Sequence, residues 1–288
     1  MLQTAELLKK VRKLEIVTGK LVDDVIGGAY HSVFKGRGIE FDEVREYTFE
    51  DDVRDIDWNV SARLNSPYVK KYIEERELTV LLMLDVSSSI NSAVLNDKAV
   101  EAAALLGMSA IGNHDRVGLS LFSDRVEKFL SPRNGRHNNL RLIRELVAVS
   151  GNERTCSTDI AGALRETARI MKKRGVVFLL SDLIAPEEFA ASLRLLKAKQ
   201  DVVAIELSDP ADEKFILKNP VTFEDAETGE IVEYSGNIAE INAALNAVQE
   251  EKSAVCRRAG VDLIKVDCGG DILKPLIGFF SERQKRIR

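Results

Sequence analysis

One run of apolar residues, at positions 80–84, is broken at its end by the carboxylate of Asp85. An unbroken apolar run of this length is typical of a strand that is buried on both faces, as in a parallel sheet covered by helices. Open α/β sheets bind their ligands outside the carboxyl ends of such strands. The sequence therefore predicts an α/β fold in which Asp85 stands at the functional edge of the sheet.

The loop after this run carries two hydroxyl residues at alternate positions, Ser87 and Ser89. Together with Asp85 they offer three oxygen ligands and no soft ligand, which suits a hard cation such as Mg²⁺. The pattern Asp-x-Ser-x-Ser is short, and taken alone it fits a strand-to-helix turn with serine capping equally well. Two later pieces favour the metal interpretation, because Thr158 precedes a predicted helix and Asp182 ends a second apolar run.

The order of these three loops resembles the metal-ion-dependent adhesion site of von Willebrand factor A-type domains. The resemblance implies that one divalent cation, Mg²⁺ or alternatively Mn²⁺ or Ca²⁺, is held by Asp85, Ser87, Ser89, Thr158 and Asp182. It also implies a Rossmann-like α/β fold with a mostly parallel central sheet flanked by helices. Two departures are visible, Ser88 where many relatives carry Gly and Ile90 where Met is common, and neither removes a ligand.

Beyond residue 75 the chain alternates strand-like and helix-like segments, which predicts βαβ units. Strands are predicted at 78–85, 117–122, 126–130, 176–181, 202–207 and 261–266, and helices at 93–112, 138–149, 160–173, 186–199, 238–259 and 271–280. The third strand follows the second too closely for a crossover helix, so we expect an antiparallel edge pair. Residues 221–235 predict an inserted β-hairpin, and residues 282–288 a solvated tail.

A second distinctive block lies between residues 35 and 63 and combines acids and arginines with aromatic side chains. It closely resembles the signature of the bacterial domain of unknown function 58 family, whose members join such a segment to a von Willebrand factor A-like domain. The family-specific structural positions are Arg45, Asp52, Arg54, Asp57, Trp58 and Arg63. We expect Trp58 and Tyr47 to be buried and the arginines to pair with nearby acids. The expected organisation is an N-terminal region of residues 1–75 packed on a domain of residues 76–288.

The composition bears on location and on partners. A net charge of -5 offers no basic footprint for nucleic acid. No stretch approaches the ~20 apolar residues that span a bilayer, so we expect no transmembrane segment and a cytoplasmic protein. The three cysteines lack metal-type spacing and favour a reducing compartment. Residues 4–17 predict an amphipathic helix, for which docking on the protein's own core is preferred to lying on a membrane surface.

The charge of the predicted site suggests how it would act. A cation held by two carboxylates and neutral hydroxyls keeps unbalanced charge and exchangeable waters, so an acidic residue of a partner would complete its shell. The resemblance implies a non-catalytic adaptor that works with a MoxR-type AAA+ ATPase on an unknown client, in chaperone-like assembly or stress tolerance. The alternative is a metal-dependent hydrolase or phosphatase at the same site. No general base is evident, however, and Ser87 stands where an aspartyl-phosphate enzyme would carry a second acid. A nucleotide-binding α/β domain is a third interpretation, weakened by the missing Gly-rich loop.

Overall fold

The chain forms two compact units, divided between Leu78 and Thr79. The computed structural model describes residues 40–49, 51–73, 77–90, 93–149, 157–185, 188–209, 221–224, 231–234 and 238–287. Residues 4–17, for which the sequence predicts an amphipathic helix, lie outside these ranges. Packing of the N-terminal region on the larger domain stays a prediction.

The smaller unit is built on an antiparallel pair, β1 (Glu40–Glu46) and β2 (Tyr68–Ile73). One short α-helix, α1 (Trp58–Leu64), lies between the two strands in sequence. Its amino end is capped by Asp57, whose carboxylate accepts hydrogen bonds from the backbone N–H groups of the second and third helical residues at 2.9 and 3.2 Å. Such a cap satisfies donors that a helix start otherwise leaves without partners.

Six of the described strands of the larger unit form one sheet, in the order β10-β7-β6-β3-β4-β5. They are β3 (Thr79–Asp85), β4 (Arg116–Phe122), β5 (Val126–Arg133), β6 (Val176–Ser181), β7 (Asp201–Ser208) and β10 (Asp262–Asp267). Every neighbouring pair is parallel except β4 and β5, which confirms the predicted antiparallel edge. The predicted hairpin strands are also present as an antiparallel pair, β8 (Val221–Glu224) and β9 (Ile231–Tyr234).

Helices cover this sheet. They are α2 (Ala93–Gly112), α3 (Arg136–Val149), α4 (Ile160–Ile170), α5 (Ala190–Lys197), α6 (Ile238–Ala259) and α7 (Leu273–Ile287). Helix α4 ends earlier than predicted because Met171 is buried with an extended backbone. No described helix is both long and apolar enough to cross a membrane.

The carboxyl end of the chain departs from the predicted solvated tail, because α7 continues to Ile287. The reason is Arg283, whose guanidinium is largely shielded and pairs with Asp201 and, at 3.2 Å, with Asp262. It also lies over the ring of Phe279 at 5.8 Å from the centroid. These contacts tie the last turns of α7 to the amino ends of β7 and β10.

The core is organised by the alternation of side chains along the strands. In β3, Leu81 and Met83 face the cluster that α4, α5 and α6 cover. Leu82 faces the opposite side, where α2 approaches so closely that a Cβ at Gly107 would lie 3.2 Å from its Cδ1. Because both faces of β3 are buried, the strand needs the unbroken apolar run that its sequence shows.

Candidate metal centre

The two carboxylates of the predicted site lie at the carboxyl ends of adjacent parallel strands. Asp85 is the last residue of β3, and Asp182 directly follows β6. Their side chains are 1% and 5% exposed. The sheet therefore brings together two acids that are far apart in sequence and removes both from bulk water.

The loop after β3 folds its hydroxyls back toward these acids. The backbone N–H of Ser87 donates to Oδ1 of Asp85 at 3.0 Å. The hydroxyl oxygens of Ser87 and Ser89 lie 3.1 Å apart, and Ser89 is hydrogen-bonded to Asp182. Residues Ser88–Ile90 form one 3₁₀ turn that holds this arrangement. The loop thus connects both carboxylates through side-chain oxygens.

Ser181, the last residue of β6, joins the two strand ends directly. Its hydroxyl donates to Oδ2 of Asp85 at 2.7 Å and lies 3.5 Å from Oδ1 of Asp182. The same oxygen accepts the backbone N–H of Leu183 at 3.0 Å. Leu183 adopts the left-handed conformation, with φ 57°, which is uncommon for a branched residue. This turn aims the N–H of Ile184 at Oδ1 of Asp182, 3.0 Å away.

The third loop reaches the same edge through backbone hydrogen bonds. The carbonyl of Phe122 accepts the N–H of Val86 at 2.8 Å, and the carbonyl of Ser123 accepts the N–H of Asp159 at 2.9 Å. The end of β4 thereby holds the loop that carries Thr158, whose side chain is buried. All five predicted ligands lie at one edge of the sheet, four of them connected by hydrogen bonds and Thr158 through its loop.

Asp159 has a separate role at the start of α4. Its Oδ1 accepts the N–H of Gly162 at 2.7 Å, which caps the helix. A Cβ at Gly162 would lie only 2.1 Å from the other carboxylate oxygen of Asp159, so the cap requires glycine there. The cap fixes the orientation of Asp159 and thereby the end of the loop that carries Thr158.

Burial dominates the electrostatics of the acid pair. It raises the pKa of Asp85 from 3.8 to about 7, with the charge of Asp182 adding to the shift and hydrogen bonds from Ser87 and Ser181 opposing it. Burial also raises the pKa of Asp182, against hydrogen bonds from Ile184 and Ser89 and the nearby charge of Lys252. Two buried carboxylates that repel one another favour a proton or a cation between them.

The donor set fits a hard divalent cation. Asp85 and Asp182 supply two negative charges, and Ser87, Ser89 and Thr158 supply neutral oxygen ligands. Within the described ranges, no group of three or more His, Cys, Asp or Glu side chains is placed to hold a metal ion together. The residues would hold Mg²⁺, Mn²⁺ or Ca²⁺ through oxygen alone.

Sequence reasoning missed two kinds of residue here. Ser181 was visible beside Asp182, but its hydrogen bond to Asp85 depends on strand pairing. Glu206 and Lys252 form a buried pair near the same edge. Glu206 could have been identified as a candidate because it is the one acid within the apolar segment 202–207.

The family-specific residues of the smaller unit act mainly on its local structure. The guanidinium of Arg45 donates two hydrogen bonds, of 2.9 and 2.5 Å, to the carboxylate of Asp51, which confirms the expected ion pairing for this arginine. That contact is the main cause that lowers the pKa of Asp51 from 3.8 to about 2. Asp52 accepts the N–H of Arg54, and Asp57 caps α1. Asp52 and Asp57 therefore cap the starts of short helical turns in this block.

Trp58 does not follow the prediction. Its side chain is 68% exposed, so the expected burial is wrong, while Tyr47 is partly buried against Phe49 with ring centroids 6.4 Å apart. Trp58 begins a helix of seven residues, and no side chain of that described helix is fully buried. The described helix therefore offers no enclosed position for the indole.

The fold and the site define a mixed α/β protein with a mostly parallel central sheet, flanked by helices, and an acid and hydroxyl cluster at its carboxyl edge. Residues 43–255 match the family described as protein of unknown function DUF58. The chain belongs to this family, which confirms the resemblance of its front block.

Two mycobacterial relatives and two solved structures from Bacteroides are similar to this chain. Uncharacterized protein Mb1516 of Mycobacterium bovis is 28% identical over 287 residues, covering 97% of this chain and 90% of its own length. Uncharacterized protein MAV169 of Mycobacterium avium is 30% identical over 141 residues, covering 49% of this chain and 80% of its own. An aerotolerance-related membrane protein from Bacteroides fragilis is similar over 73% of this chain and 99% of that one, with 15% identity and a TM-score of 0.47. The conserved hypothetical protein BatB from Bacteroides thetaiotaomicron gives the same identity and TM-score over 72% of this chain and 99% of that one.

Proposed function

We propose that this protein is a von Willebrand factor A-like, metal-dependent adaptor without catalytic activity. In this proposal Asp85, Ser87, Ser89, Thr158 and Asp182 form an adhesion-type site for Mg²⁺, or alternatively Mn²⁺ or Ca²⁺. The observation that carries the proposal is the buried pair of Asp85 and Asp182 at adjacent strand ends, joined through Ser181. Neighbouring hydroxyls supply the oxygen ligands such a cation prefers.

Two carboxylates and neutral hydroxyls suit the capture of a partner better than a closed structural site. A divalent ion bound to this set keeps affinity for a further anionic ligand, since Mg²⁺ retains exchangeable positions. An Asp or Glu of a client would provide that ligand and form a charge-assisted contact. The function proposed for the rim around Asp85 is therefore metal-dependent recognition of an acidic residue on another protein.

The partner we propose is a MoxR-type AAA+ ATPase in the cytoplasm, with this chain linking it to a client in chaperone-like assembly or stress tolerance. The support is the family signature of the front block together with the site described above. In such a partnership the ATPase supplies energy and the adaptor supplies recognition. The chemistry of the site limits the client only to one that offers an exposed carboxylate.

Calorimetry with the metal-free chain tests the site. Titration with Mg²⁺ and with Mn²⁺ should show binding that Asp85→Asn and Asp182→Asn abolish. Asp124→Asn is the matched control, because Asp124 is an acid at the end of the adjacent strand β4 whose side chain is 45% exposed. We expect the control to bind like the wild type. Binding that persists in Asp85→Asn would refute the assignment.

A metal-dependent hydrolase or phosphatase is the second candidate, favoured by one observation. Asp85 has a pKa raised to about 7, which is the range that suits a general acid or base at neutral pH. Turnover of a generic phosphomonoester with Mg²⁺ or Mn²⁺, lost in Asp85→Asn, would support the enzyme. We expect no turnover above the level of that variant.

A further inference from the structure

A row of polar side chains crosses the sheet beside the candidate metal centre. Leu84 pairs with Leu180, so Asp85 and Ser181 come next in register, and their hydrogen bond joins them. Ser181 is in register with Glu206 of β7, and Glu206 with Lys265 of β10. Register partners in neighbouring parallel strands point to the same face. Glu206 therefore stands on the same face as Asp85, one strand beyond Ser181.

Glu206 is among the most buried charged residues of this unit. It is 1% exposed, and among the described residues neither of its carboxylate oxygens accepts a hydrogen bond. Its nearest cation is Lys252 of α6, whose Nζ lies 3.3 Å from Oε1 and whose side chain is 7% exposed. Lys265 lies farther away, at 3.7 Å from Oε2, and is 55% exposed. Lys252 is thus the buried countercharge.

A buried ion pair of this kind is costly to build. Removing two charges from water costs several kcal/mol for each ion, and their attraction repays this cost only in part. Apolar side chains at both positions would fill the space at lower cost. Lys252 also acts on Asp182, because its charge opposes the rise in the pKa of that carboxyl. The ammonium therefore lies within the field of both Glu206 and the candidate site.

When all are ionised, as at pH 8, the buried charged groups described around Ser181 sum to a charge that one divalent ion would balance. Asp85, Asp182 and Glu206 are three buried carboxylates, and Lys252 is one buried ammonium. Two negative charges are left over, which is the charge that a single divalent cation carries. Without Lys252 the group would hold three negative charges, and without Glu206 only one.

We propose that Lys252 and Glu206 are positioning residues of the metal site, which set its affinity by adjusting the buried charge that a divalent cation meets. This inference rests on the proposed function, since it concerns the same cation. Glu206 screens the ammonium, and the ammonium limits how strongly the site attracts a cation. In this proposal the pair keeps cation binding reversible and matches the charge of the site to that of a divalent ion.

The test is a double-variant cycle in the full chain, with Mg²⁺ and Mn²⁺ affinities measured by calorimetry at pH 8. Glu206→Gln should weaken binding about tenfold, or about 1.4 kcal/mol, because the charge of Lys252 then faces the cation without compensation. Lys252→Gln should tighten binding by a similar factor, since it removes a repelling charge and keeps a polar side chain beside Glu206. The double variant should return to within about threefold of the wild type, because removing one charge of each sign restores the net charge even though residues in contact couple.

Lys265→Gln is the matched control, because Lys265 is the other cation near Glu206 but is largely exposed. We expect its affinity to stay within about twofold of the wild type, as solvent screens the charge. Unfolding of each variant in EDTA reports whether it folds. If Glu206→Gln fails to fold cooperatively, Lys252→Gln alone carries the test.

The decisive result is a change in metal affinity of opposite sign in the two single variants. A purely structural ion pair predicts instead that both variants weaken binding or leave it unchanged. Either of those outcomes, with a wild type that binds metal, overturns the role of Lys252 and leaves the proposed site intact. A wild type that binds neither ion would refute the proposed function itself. The two failures are therefore distinguishable in the same set of titrations.

Discussion

The hydroxyl of Ser181 donates a hydrogen bond of 2.7 Å to Oδ2 of Asp85, across 96 positions of sequence. Ser181 also accepts the N–H of Leu183, so one oxygen aligns the end of β3 with the turn after β6. Both strand ends carry an acid of the candidate site. The spacing of the two carboxylates consequently depends on a serine that is not itself among the predicted ligands.

Ser181→Ala should destabilise the protein by about 1–3 kcal/mol, because it leaves buried hydrogen-bonding groups of Asp85 and Leu183 without their partner. Urea denaturation in EDTA measures the free energy of unfolding. Ser131→Ala, at an exposed serine in β5, should change it by less than ~0.5 kcal/mol. Equal effects of the two substitutions would contradict the role assigned to Ser181.

The stability of the metal-free protein should fall as the pH rises. Asp85 has a folded-state pKa of about 7 against a usual value of 3.8, so the folded state binds its proton more tightly than the unfolded state. The corresponding stabilisation is complete below about pH 3.8 and is lost as the pH rises through about 7. Denaturation at pH 5 and pH 8 in EDTA should show this loss, and Asp85→Asn should reduce it.

Saturating Mg²⁺ should counteract that trend, because the cation binds the deprotonated acids of the folded state only. At one hundred times the dissociation constant measured at pH 8, a ligand adds about 2.7 kcal/mol to the free energy of unfolding at that pH. The gain should be larger at pH 8 than at pH 5, since protons compete for Asp85. A gain independent of pH would indicate that the metal binds away from this carboxylate.

Gly162 and Gly278 should respond in different ways to alanine. Gly278 lies in α7 with open space around its Cβ position, so Gly278→Ala should stabilise the protein by about 0.5–1 kcal/mol. At Gly162 the new Cβ collides with the capping carboxylate of Asp159, and losing such a cap costs about 0.5–2 kcal/mol. Thermal unfolding should show no gain for Gly162→Ala. In an Asp159→Ala background, where no cap remains to be displaced, the same substitution should become stabilising.

Trp58 provides an optical test of the smaller unit, because it is the one tryptophan of the sequence. With 68% of its side chain exposed, its emission should be red-shifted and readily quenched by acrylamide. Trp58→Ala should alter the free energy of unfolding far less than the ~3–5 kcal/mol typical of a buried tryptophan. Blue-shifted, protected emission would show that the indole is covered in solution.

The positions of Asp85 and Asp182 followed from sequence because each ends an apolar run, and parallel strands present their ends at one edge. The antiparallel position of β5 followed from the short connection after β4. The hydrogen bond of Ser181 could not be predicted in this way, since it requires the register between β3 and β6. Lys252 carried no signal either, because its burial depends on where α6 packs.

Two errors have a common physical origin. Aromatic character predicts a buried Trp58, yet no residue of its helix is buried. A basic terminal segment was expected to be solvated, yet Arg283 is held by Asp201 and Asp262. In both cases residue type indicated a preference, and the depth and charge of the surroundings decided the outcome.

Because Asp85, Ser181 and Glu206 continue the same columns as Met83, Leu179 and Ala204, the register of the sheet is tied to the chemistry at its edge. A slip of one residue in β6 would turn every side chain of that strand to the other face and set Leu180 against the carboxylate of Asp85. Such a misaligned sheet would leave a buried acid beside a methyl group and would also disrupt the core. Correct strand pairing and assembly of the candidate site thus require the same register, so metal binding at this edge would report that the central strands are aligned.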